Sequence, residues 1–531
     1  MPSPLRISAV ATTFLFLSSC LSSTVSAASA ANAPKVVSMP FARRDDARTI
    51  DKVKRDSVSV TLGNAQKGSR SIGIYYVNTT IGTPGQMIQL QLDTGSSDLW
   101  MFSEEACRTD DVTCLGGIYD PDESSTYKLL YSGEFNISYV TPGSGVHGDY
   151  IRDNVEMSGA KIEGLTMGLA KRAKQVPTGI MGIGYRENEA IYAQTGGRNS
   201  YPNIIDLMVN QSLINTRAYS LYLDDKDAAT GNILFGGYDT EKYFGDLALL
   251  DIQPDENQVI SSFIVAWTGF SITTENDGEV ALTTSDFDQP AYLDSGTTLT
   301  VLPSQIANQL VDAAGAIYDE SSGIYLVDCQ VGSANATLNY QFGGANGPTI
   351  KVPFGELVLP IRDSNGDYLV SNGIQYCLFG IKPGDVGDIL LFGDTFLRSA
   401  YVVYDLDGQK IGIAQANTDA TGSNIVEITG PIVSAASTVA DQPSVTATAT
   451  SRNAGIGGFE TDIATTGLSN PTGSSNVGFT FGSDGSTPTS TSTNSSNAAS
   501  GVVPSFDWAA FSVIMGSMAM ALLGSGLFAV L

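Results

Sequence analysis

From residue 71 to residue 417, apolar and polar side chains alternate in short runs rich in Val, Ile, Tyr and Leu, and Gly, Asn and Asp interrupt the runs. A period of two sets every second side chain on one face, so these runs read as half-buried strands separated by turns. The pattern predicts strands over 74–81, 86–92, 218–223, 233–236 and 401–404, and one helix over 304–314 directly after Pro303. The fold class is therefore mainly β.

The two ends follow other patterns. Arg6 precedes an uncharged, largely apolar run over 7–21, and Val25-Ser26-Ala27 fits a small-residue cleavage site, so residues 1–27 read as a secretory signal peptide. Residues 28–55 carry mixed charge with the basic pairs Arg43-Arg44 and Lys54-Arg55, and are a candidate pro-segment. Residues 509–531 carry no charge, and no Lys or Arg follows Arg452 to flank a spanning helix. Small residues at Ser495-Ser496-Asn497-Ala498-Ala499, a spacer and an apolar tail form a glycosylphosphatidylinositol signal. Asn497 is the expected attachment residue, with Ser496 and Asn494 close alternatives, and 498–531 would be removed. A plain transmembrane anchor is the competing reading. Residues 421–497 are Ser, Thr, Gly and Ala with scattered Pro, too poor in apolar groups to fold, and read as an O-glycosylated stalk. Sequons at Asn78, Asn136, Asn210, Asn335 and Asn494 suit a secretory route to the cell surface or wall.

Within the body the sequence repeats itself. Leu92-Asp93-Thr94-Gly95-Ser96-Ser97 recurs as Leu293-Asp294-Ser295-Gly296-Thr297-Thr298. At a similar distance after each come two apolar residues and a glycine, Ile180-Met181-Gly182 and Leu391-Phe392-Gly393. Matched pairs in the same order imply a duplication into two similar lobes, 56–238 and 239–420.

Charge narrows the partners. The 531 residues hold 28 Lys and Arg against 55 Asp and Glu, a formal net charge of −27, which opposes nucleic acid as a partner because phosphate binding needs clustered cations. His147 is the single histidine, and no Cys/His cluster has metal spacing, so neither a metal nor another cofactor is expected. With Cys20 in the signal peptide, Cys107, Cys114, Cys329 and Cys377 remain, enough for two disulfides in an oxidising compartment.

An Asp before a Gly is ordinarily a turn residue. The duplication changes that reading, because two lobes about a pseudo-twofold would bring Asp93 and Asp294 together across a cleft. Neighbouring carboxyls share one proton, so one can act as base on a water while the other serves as acid. Gly95 and Gly296 would let the backbone bend beneath them, Thr94 and Ser295 would tie the loops across the axis, and Ser96 and Thr297 would bond the outer carboxylate oxygens.

These residues, with Tyr76-Val77-Asn78-Thr79-Thr80-Ile81-Gly82-Thr83-Pro84, the run Asp93 to Trp100, and Phe392-Gly393-Asp394-Thr395-Phe396-Leu397-Arg398, resemble the pepsin family of aspartic proteases. The resemblance implies a bilobal β fold, an extended peptide or protein substrate across the cleft, and a monomer. It implies a flap over 135–150 in which Tyr139 is the flap tyrosine and Trp100 its hydrogen-bond partner, although Val140 stands where the family commonly has Gly. It also implies disulfides Cys107–Cys114 and Cys329–Cys377. Signal, basic-pair pro-segment, stalk and anchor together resemble the surface-anchored fungal yapsins, many of which cut after Lys or Arg. Gln91 is more polar than the residue that walls the primary pocket in pepsin, and Glu104, Glu105, Asp110 and Asp111 follow nearby. These residues leave two readings open, a basic or a hydrophobic cleavage preference. An inactive surface glycoprotein of the same fold, binding peptide or carbohydrate, is the rival to an enzyme.

Overall fold

The computed structural model describes residues 34–44 and 74–445, apart from 109–111, 113, 140–143, 229, 320–323, 362–367, 372, 385–388 and 433–435. The signal peptide, most of the pro-segment, Asn494, Asn497 and the anchor signal lie outside the described residues.

The alternating runs form strands Ile74–Ile81, Gln86–Asp93, Ala218–Tyr222, Thr230–Phe235 and Ala400–Asp405, within a residue or a few of the sequence expectation. Helix Ser304–Ala314 buries Ile306, Ala307, Leu310, Val311 and Ala314 as one stripe, and Gly315 closes it in the left-handed conformation at φ 63°.

Two sheets dominate. Among the described residues the larger has 14 strands and runs through both halves: Lys410–Ala416 and Ala400–Asp405 pair through Ala218–Tyr222 and Thr230–Phe235 to Val37–Arg44, then to Ile74–Ile81 and Gln86–Asp93. An 8-stranded sheet belongs to the second half. The result is an all-β, bilobal fold.

The repeat has a structural cause. Gln86–Asp93 pairs in parallel with Gly179–Gly182, which sets Asp93 opposite Gly182. In the second half Gln289–Leu293 pairs in parallel with Leu391–Phe392. Each motif glycine lies hard against an aspartate loop: a Cβ on Gly182 would stand 2.6 Å from Ser97 N, and one on Gly393 would stand 2.2 Å from Thr297 O. Any side chain there would push the loop out of place.

Two segments read from composition as accessory pack on the body. Val37–Arg44, in the candidate pro-segment, fills a sheet position between Thr230–Phe235 and Ile74–Ile81. The stalk was expected from residue 421, yet the chain stays on the body through Val445. Ile425–Glu427 pairs with Gly237–Asp239, and Ala436–Thr438 pairs with Tyr243–Asp251. Buried Ile428, Ile432, Val439 and Val445 explain the difference, because a few well-placed apolar residues hold a strap that is polar on average. Disulfides join Cys107 to Cys114 and Cys329 to Cys377.

Candidate active site

Asp93 ends its strand and Asp294 directly follows its own, and both carboxyls are buried. The loops bend back on their aspartates: Gly95 N–H donates to Asp93 Oδ1 at 2.9 Å, and Gly296 N–H donates to Asp294 Oδ1 at 2.8 Å. The outer oxygens accept hydroxyls, from Ser96 on Asp93 and from Thr297 on Asp294 at 2.6 Å. Between the loops the bonds cross in matched pairs. Thr94 Oγ1 donates to Leu293 O and accepts from Ser295 N–H, both at 2.9 Å. Ser295 Oγ donates to Leu92 O at 3.1 Å and accepts from Thr94 N–H at 3.2 Å. The sequence-predicted residues at 93–96 and 294–297 therefore come together as one cluster.

The two carboxyls stand close enough to influence each other's acidity. Burial raises the pKa of both, and the neighbouring Asp93 charge raises Asp294 further. Hydrogen bonds from Ser96 and Gly95 pull Asp93 the other way. Such a pair holds a shared proton over the acid range and titrates as a unit.

The hairpin expected as the flap consists of Lys128–Ser138 and Gly145–Met157, with Ser138 opposite Gly145 and Tyr139 N–H donating to Ser144 O at 3.2 Å. Its turn, including Val140, lies outside the described residues. Tyr139 is buried with Trp100, Phe102, Ile137 and Ile180 in one cluster. Burial raises the Tyr139 hydroxyl well above its ordinary pKa, the Asp93 charge adds to this, and Trp100 opposes it as a donor. The Trp100–Tyr139 contact falls short of full hydrogen-bond geometry. His147 pairs across the hairpin with Asn136, away from the aspartates in register.

Sequence reading missed three features. Gln91 Nε2 donates to Gly296 O at 2.8 Å, so its side chain is engaged across the lobe boundary. The sequence marks Gln91 as a polar residue at the primary pocket but gives no sign of this partner. Asn188 Nδ2 donates to Gly95 O at 2.8 Å, and nothing in its local sequence marks it. A second buried acid pair, Asp98 and Glu189, meets at Tyr201. Asp98 accepts from Tyr201 Oη at 2.5 Å and from Ala190 N–H at 2.8 Å, while Glu189 accepts from Tyr201 N–H at 2.9 Å. Burial pushes Asp98 up to about 6, and burial with the Asp98 charge pushes Glu189 up to about 10. Among the described residues no group of His, Cys, Asp and Glu has the arrangement to hold a metal ion.

A family model for eukaryotic aspartyl proteases matches residues 74–416. The chain belongs to that family. Among similar aspartyl proteases, the probable aspartic-type endopeptidase opsB of Aspergillus oryzae is 38% identical over 81% of this chain and 87% of its own. Secreted aspartic protease 1 of Candida albicans is 35% identical over 71% of this chain and 88% of its own. Barrierpepsin of Saccharomyces cerevisiae is 32% identical over 66% of this chain and 61% of its own. The crystal structure of the aspartic proteinase from Irpex lacteus superposes with a TM-score of 0.51 at 21% identity, covering 73% of this chain and all (100%) of that one, which shows the shared fold. The protein is an aspartic-type endopeptidase, and its substrates are peptides or proteins.

Proposed function

We propose that this aspartyl protease cuts peptide bonds in acid with Asp93 and Asp294 as its catalytic pair, and that it works as a monomer at the cell surface on a glycosylphosphatidylinositol anchor. The observation that carries the chemistry is the pair of buried carboxyls close enough to influence each other's acidity, each braced by a glycine N–H and a hydroxyl. The ionised carboxyl takes a proton from a water as the water oxygen attacks the scissile carbonyl carbon. The protonated carboxyl hydrogen-bonds the carbonyl oxygen. When the tetrahedral adduct collapses, the C–N bond breaks and a carboxyl proton passes to the leaving nitrogen. Water and two carboxyls balance the reaction without metal or cofactor. Tyr139, on the flap, closes over the substrate with Trp100 behind it.

The signals at 1–27 and 495–531 support surface anchoring, with Asn497 as attachment residue, and Lys54-Arg55 supports release of a pro-segment. Asn78, Asn136, Asn210 and Asn335 are all exposed, as N-glycan acceptors must be. A preference for Lys or Arg beside the scissile bond is part of the proposal, resting on the acidic loop that follows Leu99–Phe102. Glu104 there already pairs with Arg108 at 3.2 Å on the surface, and Glu105 lies near enough to Lys171 to raise its pKa.

The test is digestion of a mixed peptide library at acidic pH by the ectodomain, with and without pepstatin, and with Glu104 and Glu105 reversed to Lys. Pepstatin-sensitive cleavage after basic residues that weakens in the reversed variant supports the reading. Unchanged selectivity removes those glutamates from it, and no cleavage by folded protein favours a binding protein. Release of the full-length protein from cells by phosphatidylinositol-specific phospholipase C tests the anchor.

A further inference from the structure

The carbonyls of the two loop glycines carry matching contacts that the duplication does not explain. Asn188 Nδ2 reaches Gly95 O from the 3-10 turn Arg186–Asn188. Gln91 Nε2 reaches Gly296 O from the strand Gln86–Asp93, across the lobe boundary. The position in the second motif that corresponds to Gln91 is Tyr292, so the two carboxamides are not pseudo-twofold mates. Two non-equivalent residues of different lengths therefore supply the same donor, at the same distance of 2.8 Å, to the same atom of each loop.

That atom sits one peptide from the carboxyls. The Gly95 carbonyl belongs to the residue whose N–H bonds Asp93 Oδ1, and its peptide leads into Ser96, whose hydroxyl bonds Asp93 Oδ2. The Gly296 carbonyl belongs to the residue whose N–H bonds Asp294 Oδ1; the N–H of its own peptide, that of Thr297, donates to the Asp294 backbone O at 3.3 Å, and the Thr297 hydroxyl bonds Asp294 Oδ2. A donor on a peptide carbonyl fixes the plane of that peptide, and with it the placement of the residue that follows, whose hydroxyl bonds the carboxylate in each loop. Gln91 is buried and lies on the same side of its strand as Asp93, two residues on, so its amide has little freedom to leave.

We propose that Gln91 and Asn188 are positioning residues for the catalytic pair: each carboxamide locks one glycine peptide so that its loop's donors stay aimed at an aspartate, which sets the acidity of the pair. The proposal rests on the reading of Asp93 and Asp294 as catalytic.

The test uses the processed ectodomain, a neutral peptide substrate, and the variants Gln91→Met and Asn188→Leu, which keep bulk and lose the donor. Weaker donation to the carboxylates disfavours their ionised form, so the acid limb of the pH profile of kcat/KM should move to higher pH in both variants. On the order of tenfold should be lost from kcat, with KM changed little. Gln91→Glu, an isosteric replacement that donates only while protonated, should retain most activity at the acid end and lose it faster than wild type as pH rises. It also guards against a folding defect in Gln91→Met. Profiles that superpose on wild type, or a change confined to KM, would overturn the proposal and leave Gln91 as a lining residue. An inactive wild type would instead count against the proteolytic reading itself.

Discussion

Asp-to-Asn exchange at the pair keeps size and removes an ionisable group, and the glycine N–H and hydroxyl donors that brace each carboxylate leave room for the amide oxygen. Asp93→Asn and Asp294→Asn should each lower kcat by about 10³-fold or more while the near-ultraviolet dichroism stays that of wild type. Glu189 offers a stability test. Its folded pKa, about 10, lies above the unfolded value, so the folded state holds a proton that the unfolded chain releases. That contribution is complete below about pH 4 and drains away as pH rises, with a slope of up to about 1.4 kcal/mol per pH unit. Glu189→Gln should therefore melt like wild type near pH 3 and above it at pH 7, by on the order of 1–3 kcal/mol. An equal gap at both pH values would contradict this account. At this scale Asp93 and Asp294 were legible because duplication marks them twice. Asn188 and Glu189 were not, since a lone side chain reaching a loop from elsewhere leaves no periodic trace.

The strands and the helix Ser304–Ala314 followed from alternation and from Pro303, which is local information. The extent of the body did not. Ser and Thr dominate beyond residue 421, yet Ile428 and Ile432 bury against Tyr238, Leu247 and Tyr401. Asp239 accepts from Asn424 N–H at 2.7 Å and from Ser423 Oγ at 2.6 Å, which pins the start of the strap. An ectodomain ending at Val445 should melt with the full ectodomain. One ending at residue 420 should lose about 3 kcal/mol or more, the burial of two Ile side chains, as read by denaturant titration. Equal midpoints would show that the strap carries no stability.

Over the whole molecule, two β lobes share one sheet, and their loops interlock at Thr94 and Ser295, so the carboxyls meet because the lobes do. Few cations and a net charge of −27 suit such a chain to acid, where protonation relieves its negative charge. Bilobal architecture was legible from the repeat. The shared sheet, with Val37–Arg44 inside it, was not, because strand order depends on pairings remote in sequence. The central claim is that two buried carboxyls share one proton. The most direct measurement is the pH dependence of kcat/KM for a peptide without titrating groups. The account predicts a bell confined to acid, with one limb for each proton of the pair, abolished by pepstatin and by either Asn variant. A rate that keeps rising through neutral pH, or an active Asp93→Asn protein, would contradict it.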